Sequence, residues 1–142
     1  MPPSTASLSR PTSLLIGQVA AATGIPVKTI RFYADLGLIQ TLARTEGGFR
    51  VFAPEVVPRL GFIRRAQSLG MSLEEIGQIL TIRDQGSPPC DAIREMLEEK
   101  VREIEHRIAE LRLLQAHLKQ LLQDWRDPET LRDEQICPNL DP

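Results

Sequence analysis

The 142-residue chain has few aromatic residues, which make up 4% of it, and only two cysteines. The cysteines are far apart, at positions 90 and 137, so they do not form the disulfide framework of a small secreted domain. No apolar run reaches the roughly 18 residues that a membrane-spanning helix needs. These absences predict a reduced, cytoplasmic protein that does not cross a membrane.

The sequence also lacks the motifs of common enzyme classes. It contains no Gly-rich phosphate loop, no HExxH run and no arrangement of Ser, His and Asp typical of hydrolases. We therefore predict that the protein is not an enzyme.

The formal net charge is −2, which argues against a non-specific nucleic-acid coat but is compatible with a locally basic surface.

Two short helices joined by a tight turn are predicted near the start of the chain. Gly24 suits the turn because it tolerates a positive φ, and Pro26 suits the first turn of the next helix. In that second helix, residues 26–36, Ile30 and Tyr33 are expected to face inward. The side chains that point outward are Lys28, Thr29 and Arg31. The pattern is typical of a helix-turn-helix, although a simple pair of packed helices would have the same signature.

A small hairpin, or wing, is predicted to follow over residues 42–52. Gly47 and Gly48 provide its turn, with Arg44 before them and Arg50 after them. A recognition helix beside a wing with two arginines favours a DNA-binding head.

These two stretches resemble the MerR family of transcription regulators. Residues 30–39 have the sequence IRFYADLGLI, close to the family's I-R-Y-Y-E-x-x-G-L-I, and residues 44–52 match its wing pattern R-x-x-x-G-Y-R-x-Y. The departures are Ala34 in place of an acid and Phe32, Phe49 and Phe52 in place of tyrosines. The resemblance extends from Leu14 to Cys137. It implies a mostly α protein, with a winged helix-turn-helix head followed by a long antiparallel coiled-coil dimerisation helix.

A second pair of helices is predicted between the wing and Gly86. The first begins near Pro54 and is ended by Gly70, and Ser72 with Glu75 forms a capping box that starts the second. The predicted inward residues of the first helix are Val56, Leu60, Ile63 and Leu69, and its outward arginines are Arg59, Arg64 and Arg65. In the second helix the apolar residues are Leu73, Ile76, Ile79, Leu80 and Ile82.

A long helix is predicted from Asp91 to about Trp125, a stretch without Pro or Gly. A seam of residues in alternating steps of three and four runs along it, as in a coiled coil. The seam consists of Leu97, Val101, Ile104, Ile108, Leu111, Gln115, Leu118 and Leu122. This apolar stripe needs a partner, and we expect a second copy of the chain, the alternative being that the helix folds back on its own head.

The two cysteines are expected at opposite ends of this helix, too far apart within one chain for a bond or a shared ion. In an antiparallel dimer, Cys90 of one subunit would approach Cys137 of the other. Two thiolates there would hold a soft or borderline metal. The alternative is that both are ordinary small apolar residues.

The family resemblance favours the metal site. It implies a sensor of divalent ions such as mercury, zinc, cadmium or lead, because one cysteine stands at the start of the dimerisation helix. The family's middle cysteine is missing near Asp124. Two thiolates suit mercury, whereas zinc would need a carboxylate such as Asp124, Asp127 or Asp133. An oxidant or an organic molecule as effector remains an alternative.

We predict four regions: a disordered leader (1–13), the winged-helix head (14–86), the dimerisation helix (87–126) and a C-terminal effector loop (127–142). The predicted contacts with promoter DNA are Lys28, Thr29 and Arg31 in the major groove or on its phosphates, Tyr33 on the backbone, and Arg44 and Arg50 on phosphates. The resemblance further implies that the homodimer distorts the promoter for RNA polymerase. The alternative function from a different class is a coiled-coil scaffold that binds another protein through its head.

Overall fold

The computed structural model describes residues 12–127, 129–130 and 132–142. The predicted leader lies outside the described residues except for Thr12 and Ser13. In chain order the elements are β1 (Leu14–Leu15), α1 (Ile16–Thr23), α2 (Val27–Asp35), β2 (Thr41–Arg44), β3 (Arg50–Phe52), α3 (Val56–Ser68), α4 (Leu73–Asp84) and α5 (Cys90–Gln123). The chain divides into two compact units with the boundary between Pro89 and Cys90. The mostly helical class, the helix-turn-helix with its wing and the long C-terminal helix are confirmed.

The turn between α1 and α2 has the geometry that its glycine predicts. Gly24 adopts a φ of 74°, in the left-handed region, and its backbone N–H donates to the carbonyl oxygen of Ala20 at 2.8 Å. Pro26 then precedes α2 as its N-cap residue, and its carbonyl oxygen accepts from the backbone N–H of Ile30 at 3.1 Å. This turn sets α2 against α1 with Lys28 and Arg31 exposed.

The wing is part of a three-stranded antiparallel sheet in the order β1-β3-β2. The sequence predicts β2 and β3 as a hairpin but does not predict β1. The structure pairs Leu14 with Phe52 and Leu15 with Val51. A strand of two residues has no periodicity of its own, and it exists only because β3 lies beside it.

In the apolar core of the first unit, α1 packs against α2, α3 and the sheet, and α3 packs against α4. Its buried residues are Val19, Ile25, Ile30, Tyr33, Leu38, Ile39, Phe52, Val56, Leu60, Ile63, Ala66, Met71, Ile76, Ile79 and Leu80. The prediction that Leu69 faces inward is wrong, since its side chain is 46% exposed. The reason is that α3 ends at Ser68 and the chain turns at Gly70, whose φ is 84°. Ala66 takes the inward position instead.

Arg59 is a structural residue, and its prediction as an outward-facing arginine is wrong. Its Nε donates to the carbonyl oxygen of Leu38 at 2.7 Å, and its two terminal nitrogens donate to the Asp84 carboxylate at 2.6 and 2.9 Å. The hydrogen bond from Arg59 lowers the pKa of Asp84 below its ordinary value. The stability that this pair contributes is therefore present at neutral pH, and it is lost as the pH falls below the ordinary pKa of the carboxyl group. The contribution is small because the carboxylate is half exposed.

The second unit begins with α5, which has 34 residues and a length of about 50 Å. No residue of α5, all of which is described, is buried. Seam residues such as Ile104 and Leu111 are 59% and 55% exposed. Among the helices of the described residues, none is both long and apolar enough to span a membrane.

Candidate nucleic-acid interface and effector segment

The exposed face of α2 has the composition of a DNA-contacting surface. Lys28 and Arg31 are exposed, and Thr29 is half-buried beside them. Phe32, which sequence reasoning does not single out as a contact, is 50% exposed on the same helix. The two cations can neutralise phosphates or donate to base edges, and the phenyl ring offers an apolar contact.

Arg50 joins the wing to α2. Its Nη2 lies 2.5 Å from Asp35 Oδ1, and its Nη1 donates to the carbonyl oxygen of Arg31 at 3.4 Å. The guanidinium therefore holds β3 against the C-terminal half of the recognition helix. A direct contact between Arg50 and phosphate stays a prediction, because in this structure the side chain is engaged within the head.

The tip of the wing is closed by its own hydrogen bonds. Thr45 and Phe49 pair through a backbone bond of 2.8 Å, and Thr45 Oγ1 accepts from the Phe49 N–H at 3.1 Å. Gly48, with a φ of 81°, makes the turn, and its carbonyl oxygen accepts from Arg44 Nη1 at 3.1 Å. Arg44 is exposed, and it is the wing arginine with no carboxylate partner in the described part of the chain.

Tyr33 is built into the core. Its side chain is 5% exposed, and its hydroxyl donates to Gln67 Oε1 at 2.7 Å. The ring lines a shallow notch of about 250 Å³ together with Thr29 and Arg64. Of the two interpretations offered by the sequence, packing of the ring is what the structure shows. A contact between the hydroxyl and the DNA backbone stays a prediction.

The two cysteines lie at the two ends of the second unit. Cys90 is the first residue of α5 and is exposed, whereas Cys137 follows the helix in the C-terminal segment and is half-buried. A helix of 34 residues separates them by about 50 Å within one chain. The two thiols of one chain are therefore too far apart to share an ion. In residues 12–127, 129–130 and 132–142 no group of three or more His, Cys, Asp or Glu side chains could hold a metal ion.

Asn139 of the C-terminal segment contacts the backbone of Arg126, three residues beyond the end of α5. The side-chain amide of Asn139 pairs with the backbone of Arg126: the Arg126 N–H donates to Oδ1 at 3.1 Å, and Nδ2 donates to the Arg126 carbonyl oxygen at 2.7 Å. The Cys137 carbonyl oxygen accepts from the backbone N–H groups of Leu140 and Asp141. Cys137 thus lies in a tight turn next to this pairing.

Two carboxylates near this segment differ in their partners. Asp124, the sequence's candidate third ligand, follows α5 directly, and its Oδ2 accepts from Gln120 Nε2 at 3.0 Å. Asp141 is missed by sequence reasoning. Its Oδ2 is buried and has no hydrogen-bond partner among the described residues. An unpaired carboxylate oxygen in the turn that contains Cys137 is suited to binding a cation.

Two models of known protein families match the chain. The family model described as MerR HTH family regulatory protein matches residues 14–81, and the one described as MerR, DNA binding, matches residues 57–121. The chain belongs to the MerR family of helix-turn-helix regulators. It is a DNA-binding transcription regulator and not an enzyme, so the rival interpretation as a protein-binding scaffold is not supported.

Individual relatives are similar over most of the chain. The HTH-type transcriptional regulator ZntR of Escherichia coli is 39% identical over 107 residues, which cover 75% of this chain and 76% of that protein. The mercuric resistance operon regulatory protein of Bacillus cereus is 35% identical over 126 residues, which cover 89% and 93% of the two chains. Among solved structures, a lead(II)-bound transcription regulator from Ralstonia metallidurans superimposes with a TM-score of 0.69 at 32% identity, covering 83% of this chain and 92% of the other.

Proposed function

We propose that this MerR family regulator binds promoter DNA as a homodimer and responds to a divalent thiophilic metal held between its subunits. The observation that carries this proposal is the combination of an uncovered apolar stripe along α5 with a cysteine at each end of the second unit. The names of the relatives support it, since they refer to a mercuric resistance operon and to a structure in complex with lead(II).

The dimer follows from the exposed stripe. The apolar seam residues from Val101 to Leu122 are 43–68% exposed, and leaving such a stripe in water is unfavourable by about 25 cal/mol for each Å². An antiparallel copy of α5 covers the stripe of both subunits with the same set of residues. In that arrangement Cys90 would lie near the C-terminal segment of the partner subunit, and each dimer would have two equivalent ends.

The donor set at each end favours a soft ion. Two thiolates by themselves fit a near-linear mercury ion. Zinc, cadmium or lead would use additional oxygen ligands. Asp124 is the carboxylate that the sequence suggests, and Asp141 is the one whose unpaired Oδ2 supports such a role. In this proposal, residues 127–142 form the effector loop and residues 87–126 form the dimerisation helix.

The DNA-binding part of the proposal uses the exposed cations of the head. Lys28 and Arg31 on α2 would contact the major groove or its phosphates, with Thr29 next to them, and Arg44 would bind a neighbouring phosphate from the wing. As the family resemblance implies, effector binding would distort a promoter whose two recognition elements are too far apart, so that RNA polymerase can engage both. A cytoplasmic location, where promoter DNA is found in bacteria, is part of this proposal.

Metal stoichiometry under reducing conditions tests the proposal. The purified full chain is titrated with mercury(II), zinc(II), cadmium(II), lead(II) and copper(I), alongside Cys90→Ser and Cys137→Ser. We expect up to two ions per dimer and a loss of tight binding in either variant, because each site takes one thiolate from each subunit. Asp141→Asn and Asp124→Asn then identify the oxygen ligand, which zinc needs more than mercury does.

Two results would contradict the metal site. Absence of tight binding by all five ions would leave a DNA-binding dimer without a metal effector. Undiminished binding in both cysteine variants would place the metal elsewhere. The exposed free thiol of Cys90 makes an oxidant the second candidate effector. Peroxide would then change operator binding in the wild type and have no effect on Cys90→Ser.

A further inference from the structure

The pairing between Asn139 and Arg126 has a geometry that few side chains can provide. An asparagine amide offers one acceptor and one donor side by side, and here both are used on the N–H and C=O of a single residue, at 3.1 and 2.7 Å. Alanine would lose both bonds. Aspartate would keep the acceptor and turn its second oxygen toward the Arg126 carbonyl oxygen, where it has no proton to donate.

We propose that Asn139 is a positioning residue that holds the Cys137 thiol at the end of α5, so that the effector loop is preorganised before any ligand binds. The part of this inference that concerns metal affinity rests on the proposed function. The part that concerns the placement of Cys137 does not, because it follows from hydrogen bonds within the second unit.

The turn after Cys137 transmits the constraint from Asn139 to the thiol. The Cys137 carbonyl oxygen accepts from the Leu140 N–H at 3.0 Å and from the Asp141 N–H at 2.9 Å, so residues 137–141 form one closed turn. Two residues of chain span at most about 7 Å, which limits the distance between the backbones of Cys137 and Asn139. Since Asn139 is bonded to Arg126, Cys137 is confined to the neighbourhood of the helix end.

The same bonds close the base of a surface loop. Arg126 and Asn139 are 13 residues apart, and joining them turns the segment between them from a tail attached at one end into a loop attached at both ends. A free tail would spread the Cys137 thiol over a large volume, and binding would have to remove that freedom. With the loop closed, most of this entropy is lost on folding, so a metal held between two subunits binds more tightly.

A second hydrogen-bonded turn in the loop provides a matched control. Gln135 Oε1 accepts from the Arg132 N–H at 3.2 Å, and the Gln135 N–H donates to the Arg132 carbonyl oxygen at 2.9 Å. Both bonds connect residues within the loop. Gln135→Ala therefore removes a side-chain hydrogen bond close to Cys137 and leaves the Asn139–Arg126 pairing in place.

Thiol reactivity tests the placement of Cys137 without metal. In the full chain with Cys90→Ser, the rate of Cys137 alkylation by iodoacetamide is compared for Asn139, Asn139→Ala and Gln135→Ala. We expect alkylation about three- to tenfold faster in Asn139→Ala and unchanged in Gln135→Ala, together with faster hydrogen exchange at the Arg126 amide in the former alone. Equal alkylation rates in all three proteins would overturn the inference.

The expected consequence for metal binding is tested by measuring metal affinity in chains that keep both cysteines. Competition with a chelator measures the affinity for mercury(II) or zinc(II), whichever the wild type binds more tightly. We expect at least a tenfold weaker affinity in Asn139→Ala, an intermediate loss in Asn139→Asp and no loss in Gln135→Ala, with the dimer mass unchanged. Wild-type affinity in Asn139→Ala would refute the positioning role. Absence of metal binding by the wild type would instead refute the proposed function, and the alkylation rates would still decide the placement of Cys137.

Discussion

The two units of this protein are stabilised in different ways. The head, from Leu14 to Asp84, buries side chains from α1, α2, β3, α3 and α4 in one apolar core, with residues such as Leu60 and Ile63 fully inaccessible to solvent. α5 is more than twice as long as any of the head's helices, and no residue of its 34 described residues is buried. The head therefore has its own core, whereas the apolar stripe of α5 is exposed and would be covered by a second copy in the proposed dimer.

The polar contacts of the two units also differ, in the sequence separation of the residues that they join. In the head, hydrogen bonds join residues that are far apart in sequence, as in Tyr33–Gln67 and Arg59–Asp84. In α5 the ion pairs are local and exposed, as in Arg94–Glu98 and Arg102–Glu99. Such exposed pairs contribute little to the stability of the fold, because solvent screens the charges. Local pairs support the helical conformation but do not fix a tertiary position.

The largest expected effect is on the association of α5. Leu111→Glu places a charge in the seam of both subunits, and we expect the dimer dissociation constant to rise by at least a hundredfold, since an apolar contact of about 1.5–3 kcal/mol is lost twice. Leu113→Glu is the control: two residues further on, it lies about 200° around the helix, and its side chain is 75% exposed. Sedimentation equilibrium measures both. Equal dissociation constants for the two variants would show that the seam is not the dimer interface.

The next largest effect is on the core of the head. Leu60→Ala should lower the free energy of unfolding by about 2–5 kcal/mol, because it leaves a cavity in a packed core. Leu69→Ala, at a position 46% exposed, should lower it by less than about 1 kcal/mol. Urea denaturation with a probe in the head measures the change, and dimerisation through α5 should persist in both variants. A similar loss for both leucines would mean that the head does not depend on its own core as described.

The smallest of the three expected effects is on operator affinity. The same charge reversal is made once in the head and once in α5. Arg31→Glu should weaken operator binding by well over tenfold at constant dimer mass, because it replaces a phosphate or base contact with repulsion. Arg102→Glu makes the same change of charge on an exposed part of α5 and should leave the operator affinity nearly unchanged. Titration of labelled operator DNA over a range of salt concentrations measures both. Unchanged affinity in Arg31→Glu would remove this residue from the proposed contacts.

Several features of the fold could be predicted because their signals are local. The turn glycine Gly24, the capping box of Ser72 and Glu75, and the uninterrupted seam of α5 each determine structure within a few residues. The structure has each of them where the sequence predicts it. In the candidate sites, the exposure of Lys28 and Arg31 and the location of Cys90 at the start of α5 could be predicted for the same reason.

Other features could not be predicted because they depend on contacts between distant residues. β1 forms because Leu14 pairs with Phe52. Arg59 is structural because it bonds to Asp84. Tyr33 donates a hydrogen bond to Gln67. The pairing of Asn139 with Arg126 belongs to the same group, since no short motif predicts a hydrogen bond between a side-chain amide and a backbone group 13 residues away.

The sequence by itself thus determined the family, the need of α5 for a partner and the identity of every helix and of the wing strands, since periodicity, turn residues and motifs act over short stretches of chain. It did not determine β1. The tertiary structure decided which charged side chains are free and which are structural. It engages Arg50 with Asp35 and Arg59 with Asp84, and it leaves Arg31 and Arg44 exposed. The physical reason is that a charged side chain pairs with whatever the fold brings within about 3 Å, and that distance is set by packing rather than by spacing along the chain.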